Sequence, residues 1–267
     1  MLRTVEGLPR EFLTEENQAT IAQLTQQGLL DLTDTHLRLT GEGPLLVDSI
    51  AEPSQWRLSA RSARETVDTA LTRATSSQRA IVIADTQDNP GVGGTSSTTG
   101  VLHALLQAGA GRAFPERVAL GVLYDPAAAM LAHRAGIGQT IECPLGESLA
   151  TPIGQSEPPL QGRFEVRSLS DGTVTFKGPK MTGFQAVLGP TACLEIEGVL
   201  IVVSSGRIGT QDRELFPMVD IAPEAMKIVV VKSSHHFRAD FEPLTEQPET
   251  DVVIAHAKGM FPSDPGA

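Results

Sequence analysis

A chain of 267 residues with 40% hydrophobic content can bury a full core, so one large domain or two unequal ones are both allowed. No apolar run approaches the roughly 20 residues that a bilayer span needs, and no basic-then-apolar leader opens the sequence, so we read it as soluble and cytoplasmic, with no membrane partner. The formal net charge of −11 argues against a nucleic-acid partner, because phosphate binding relies on clustered Lys and Arg.

Residues 1–53 hold three basic and nine acidic side chains, a net charge of −6, and form the first predicted unit. Thr14 followed by Glu15, Glu16 and Asn17 reads as a helix start, and Gly28 stands where a C-cap is expected. Asp31 to Thr40 reads as two short strands around a polar turn, and Gly43 to Ile50 as a closing helix. Helix, hairpin and helix make a small winged-helix-like module. A DNA-binding role for it is disfavoured by its acidity, which leaves packing or protein contact.

Residues 54–78 are a polar connector and a helix, Ala63 to Ala74, with Val67, Ala70, Leu71 and Ala74 at helical spacing. From 79 to 267 the pattern is strand, loop, helix: Ile81 to Ala84, a glycine loop, and a helix from Thr98 to Ala108. Arg117 to Val122 is a second strand, and Asp125-Pro126 caps a helix that runs through His133 and ends at Gly136. Two hairpins follow, Gly162–Leu169 with Thr173–Lys177 across Asp171-Gly172, and Thr191–Ile196 with Val199–Ser204 across Glu197-Gly198. Lys227 to Val231 and Val252 to Ala255 read as buried strands. The predicted fold class is α/β: a mixed, mainly parallel sheet with β-hairpin additions, preceded by the winged-helix-like module.

Two polar clusters follow strand ends, where α/β sheets bind ligands. The first holds Asp85, Asp88, Asn89, Gly91, Gly93 and Gly94. Asp88 is suited to orient a water, accept a proton or hold a metal-bound group, although Asp88 and Asn89 equally suit an Asx-type turn and Asp85 a strand-end cap. The glycines permit close approach of a ligand, or simply a tight turn. The second cluster holds Ser234, His235, His236 and Arg238; His235 suits proton transfer and Arg238 suits gripping a carboxylate, against a plain surface pairing of Arg238 with Asp240 or Glu242. No metal-ligand set is predicted within the chain: there is no H-E-x-x-H, and Cys143 and Cys193 stand far apart as expected buried thiols.

The opening segment resembles the C-terminal tail of coproporphyrinogen III oxidase-like radical SAM proteins, through Gln27-Gly28-Leu29-Leu30 and Leu37 to Ile50, but no radical SAM cysteine triplet accompanies it. Residues from about 55 to 267 resemble the C-terminal domain of the microcystin-degrading metalloprotease family (MlrC). The likeness rests on Asp85 to Gly91, Tyr124-Asp125-Pro126, Leu188 to Ala192, Asp212 to Phe216 and Val230 to Ala239. It implies a zinc-dependent hydrolase of peptide or amide bonds, with Asp88, His235 and Arg238 as catalytic candidates. Asp85, Asn89, Gly91, Gly93, Gly94 and Ser234 are then candidate substrate-binding residues. In that family the zinc ligands, an Asp and two His, lie in a larger N-terminal domain that nothing here matches, and Val92 stands where the family loop commonly has glycine. The implied partners are a small peptide or amide and either a metal-bearing domain or further copies of the chain. The competing expectation is a non-catalytic binding or remnant protein that keeps only the fold.

Overall fold

The computed structural model describes residues 8–9, 25–26, 30–34, 36–39 and 61–260. The chain divides into two compact units, Met1–Leu58 and Ser59–Ala267. In the smaller unit, strand Leu30–Leu32 pairs antiparallel with His36–Leu39, as the turn signal predicts, and Leu8–Pro9 adds a third strand on the other edge. Of the helix predicted from Thr14, Thr25 and Gln26 are described and are helical; the rest of it, the helix predicted from Gly43 to Ile50 and the winged-helix-like arrangement as a whole lie outside the described residues.

The larger unit is built on a nine-stranded sheet. Its strands are β1 (Arg61–Ser62), β2 (Ile81–Asp85), β3 (Val118–Tyr124), β4 (Thr140–Leu145), β5 (Leu160–Ser170), β6 (Thr191–Ile196), β7 (Val199–Ser204), β8 (Ile228–Val231) and β9 (Val252–His256). They lie in the order β1-β9-β2-β8-β3-β7-β6-β5-β4. Pairing is parallel from β1 through β7 and antiparallel from β7 to β4, a mixed, mainly parallel α/β sheet. Strands β2, β7 and β8 are buried at every residue, which is why they read as unbroken apolar runs rather than alternating ones.

Three main helices share one core with the sheet: α1 (Ala63–Ser76), α2 (Gly100–Gln107) and α3 (Pro126–Ala135). They deliver Val67, Ala70 and Ala74, then Val101, Leu102 and Leu105, then Ala128, Ala129 and Ala132. Their starts follow the sequence. Ser62 and Glu65 form a reciprocal capping box on α1, and the Asp125 side chain accepts from Ala128 N ahead of a proline at the first turn of α3. Elsewhere irregular segments cover apolar groups: Phe216 is fully buried, packs edge-on against Phe241, and its ring lies 3.1 Å from where a Cβ on Gly121 would stand.

One predicted hairpin is corrected. Asp171-Gly172 does turn the chain, with Gly172 at φ +77° and Thr173 N donating to Asp171 Oδ1 at 2.8 Å. Yet β5 has β4 on one side and β6 on the other, so Thr173–Thr175 pairs instead with Gln185–Val187. Strand β4 was not predicted, because its Glu142-Cys143-Pro144 centre lacks a β-branched run. Truncating Phe216→Ala should cost about 3–5 kcal/mol through the cavity left at the sheet face. Urea unfolding checks this, and a loss under 1 kcal/mol would mean that the face is not packed as described.

Candidate active site

Four loops meet at the carboxyl ends of the parallel strands: 86–99 after β2, the turn at Tyr124-Asp125 after β3, 205–210 after β7, and 232–237 after β8. The apolar strands carry these loops to one edge of the sheet, so the two polar clusters read from the sequence become neighbours. Asn89 Nδ2 donates to Ser234 Oγ at 2.7 Å, across a sequence separation of 145 residues.

Beneath the junction of these loops lies Lys232, 1% exposed. Its ammonium donates to Asp85 Oδ2 at 2.8 Å, Asp88 Oδ2 at 3.0 Å and the Thr98 carbonyl at 2.9 Å, which uses all three of its protons. Asp88 is still more fully engaged. Its Oδ1 accepts from Thr95 N, Thr95 Oγ1 and Ser96 N, and its Oδ2 from Thr98 N and Thr98 Oγ1, all at 2.8–2.9 Å. One carboxylate therefore ties the whole 95–98 segment to the start of α2, where a negative charge is also favoured by the helix dipole. Asn89 makes the predicted Asx turn, its Oδ1 accepting from Gly91 N at 2.8 Å.

These contacts set the protonation states. Burial pushes the Asp85 carboxyl above the ordinary carboxylate range; Lys232 pulls it back, while Asp88 and Glu157 add to the rise. Burial also works against charge on Asp88, but Lys232 and the Thr98 donors outweigh it and hold the group below its ordinary range. For Lys232 burial opposes the charge, and the two aspartates more than compensate, raising it. A buried charge survives only where its partners replace water completely, and here they do for Lys232 and Asp88. Asp85 keeps one buried oxygen, Oδ1, without a hydrogen-bond partner.

His235, His236 and Arg238 are half-buried at the crevice edge. The segment bends rather than running extended, and the two imidazole rings stand 6.2 Å apart, edge to face. Arg238 pairs with Glu242 one helical turn on and lies over the Phe237 ring. Gly91 and Gly93 are exposed on the loop rim, with Gly93 at φ +96°. Gly94 is buried, and a Cβ there would stand 2.6 Å from Asn89 N. Sequence reasoning missed Lys232, Thr95, Ser96 and Thr98 as site residues. A lysine ending the run Ile228–Val231 was the available signal, since an unpaired ammonium is not buried beside such a strand.

The residues do not fit a resident zinc: among the described residues no group of three or more His, Cys, Asp or Glu side chains is placed to hold a metal ion. Both cysteines are free, with burial pushing Cys143 up to about 11 and Cys193 up to about 12, so neither offers a thiolate near neutral pH. Among the described residues no helix is long and apolar enough to cross a membrane.

Residues 83–267 match the family described as MlrC C-terminus. The chain belongs to that family. A solved structure of similar fold is a "putative metallopeptidase" from Mesorhizobium sp. BNC1, 22% identical, with a TM-score of 0.63. The alignment covers 75% of this chain and 38% of that one, so the chain spans well under half of that protein's length. No curated protein matches the sequence.

Replacing Lys232→Met leaves two carboxylates buried without their cation and should cost about 3–5 kcal/mol, read from urea unfolding. Asp85→Asn should behave differently. A carboxyl with a raised native pKa contributes stability at low pH that is lost as pH rises through that pKa. The stability difference between Asp85→Asn and the parent should therefore shift in favour of the variant between pH 4 and pH 8. A pH-independent difference would contradict the raised pKa.

Proposed function

We propose that this chain forms the C-terminal, substrate-holding part of a zinc-dependent metallohydrolase that acts on peptide or amide bonds. The match to the MlrC C-terminus family over residues 83–267 carries the reading. The meeting of loops supports it, since it gathers hydrogen-bonding and titratable groups at the carboxyl ends of parallel strands. The zinc set comes, in this reading, from a metal-bearing domain outside the described residues.

Within that arrangement Asp88 works through position. Its oxygens are already taken up by six donors, so its task is to fix the loop that presents Asn89, Gly91 and Gly93, with Gly94 giving the loop its tight packing. Asp85 and Lys232 hold that loop to the 232–237 segment. Asn89 and Ser234, buried and bonded to each other, join the two loops and seat the exposed backbone of Gly91 and Gly93 for a substrate. His235 is the group suited to move a proton near neutral pH. Arg238, braced by Glu242, supplies a fixed positive charge beside it.

The test is to mix the purified chain with a metal-bearing domain of an MlrC-family protein, verified as zinc-loaded, and follow hydrolysis of short peptides. Hydrolysis should arise only in the mixture, and His235→Ala should lower kcat by about 10²–10⁴-fold with unchanged melting temperature. Binding without any hydrolysis would favour a non-catalytic protein that keeps the fold alone.

A further inference from the structure

Arg207 lies three residues beyond the end of β7, on the loop that borders the crevice. Its guanidinium carbon stands 4.3 Å from the centroid of the Tyr124 ring, at the end of the adjoining strand β3. Both anchors of this stack are tied to the site. Tyr124 N donates to Ser96 O at 2.9 Å, beside the Asp88 contacts, and a Cβ on Gly209 would stand 3.1 Å from Asn89 Oδ1. Three other cations of this sheet edge are paired with carboxylates: Lys232 with Asp85 and Asp88, Arg213 with Asp240 and Glu224, Arg238 with Glu242. Arg207 is exposed and is held by an aromatic face rather than by a carboxylate, so its planar fork is oriented while its charge stays available.

We propose that Arg207, stacked on Tyr124, is the specificity residue that selects substrates bearing a carboxylate at the rim of these loops. The proposal rests on the reading of this chain as the substrate-holding part of a hydrolase. A carboxylate fits better than a phosphate for two reasons. One guanidinium matches a monoanion by two parallel hydrogen bonds, and the chain's net charge of −11 repels a dianion that lacks further cations. The carboxylate is either a free peptide C-terminus or an acidic side chain.

The experiment measures binding to the intact chain by titration calorimetry, with three probes: N-acetyl-Ala-Ala, its C-terminal amide, and N-acetyl-Glu-Ala amide. At least one carboxylate peptide should bind tenfold or more tightly than the neutral amide, and which one does so identifies the source of the carboxylate. Arg207→Ala should raise the Kd for that peptide at least tenfold and leave the neutral amide within twofold. Arg207→Lys, which keeps the charge but loses the flat stack, should fall between. Equal binding of acidic and neutral peptides, unchanged affinity in Arg207→Ala, or displacement by inorganic phosphate at lower concentration than by the peptide would overturn the assignment. These readouts need no catalysis, so a failure here is separable from absent hydrolysis in the zinc-loaded mixture.

Discussion

A single ammonium buried between two aspartates holds the crevice together. Lys232 comes from the end of β8, Asp85 from the end of β2, and Asp88 from the loop beyond it. Removing three charges from water costs several kcal/mol per ion, and attraction alone does not reliably repay that. Here the cost is met by satisfying Lys232 and Asp88 completely, through hydroxyls and amides drawn from a four-residue stretch, Thr95 to Thr98. The loop is irregular in backbone but fixed in position. That is the combination a binding site needs, and it explains why four adjacent residues, Ser96 to Thr99, are as buried as the strands.

The same network has an unfinished edge. Asp85 gives one oxygen to Lys232 and leaves the other buried without a donor, while Asp88 next to it is saturated. Burial lifts the Asp85 carboxyl above the ordinary range, whereas Lys232 and the Thr98 donors outweigh burial at Asp88 and hold it below that range, although the two share one cation. Outside the network, Arg238 and Arg207 keep partial or full exposure, so the charges nearest solvent sit on the rim and the charges that build the site sit beneath it.

Much of the fold was legible because buried parallel strands write themselves as short apolar runs. Ile81 to Ala84, Arg117 to Val122, Lys227 to Val231 and Val252 to Ala255 each fall on a strand within one or two residues. The Asp125-Pro126 cap and the Glu197-Gly198 turn were readable because both rest on local backbone chemistry. Partner choice was not. Whether Thr173 pairs with β5 or with Gln185–Val187 is decided by which edges of β5 are already occupied, and that is fixed by β4 and β6, which lie elsewhere in the chain. In the site, the two clusters were visible as strand-end polar runs and do meet. Lys232 was passed over because its burial follows only from partners 144 and 147 residues away.

Native-state hydrogen exchange at the amides of Ser96 and Thr98 tests the central claim most directly. Both donate to Asp88, so they should exchange as slowly as amides of β2 and β8, with opening free energies close to that of global unfolding, and lose that protection in Lys232→Met. Exchange at the rates of an unstructured loop in the parent protein would contradict it, because the buried ion network would then not be what holds the crevice in place.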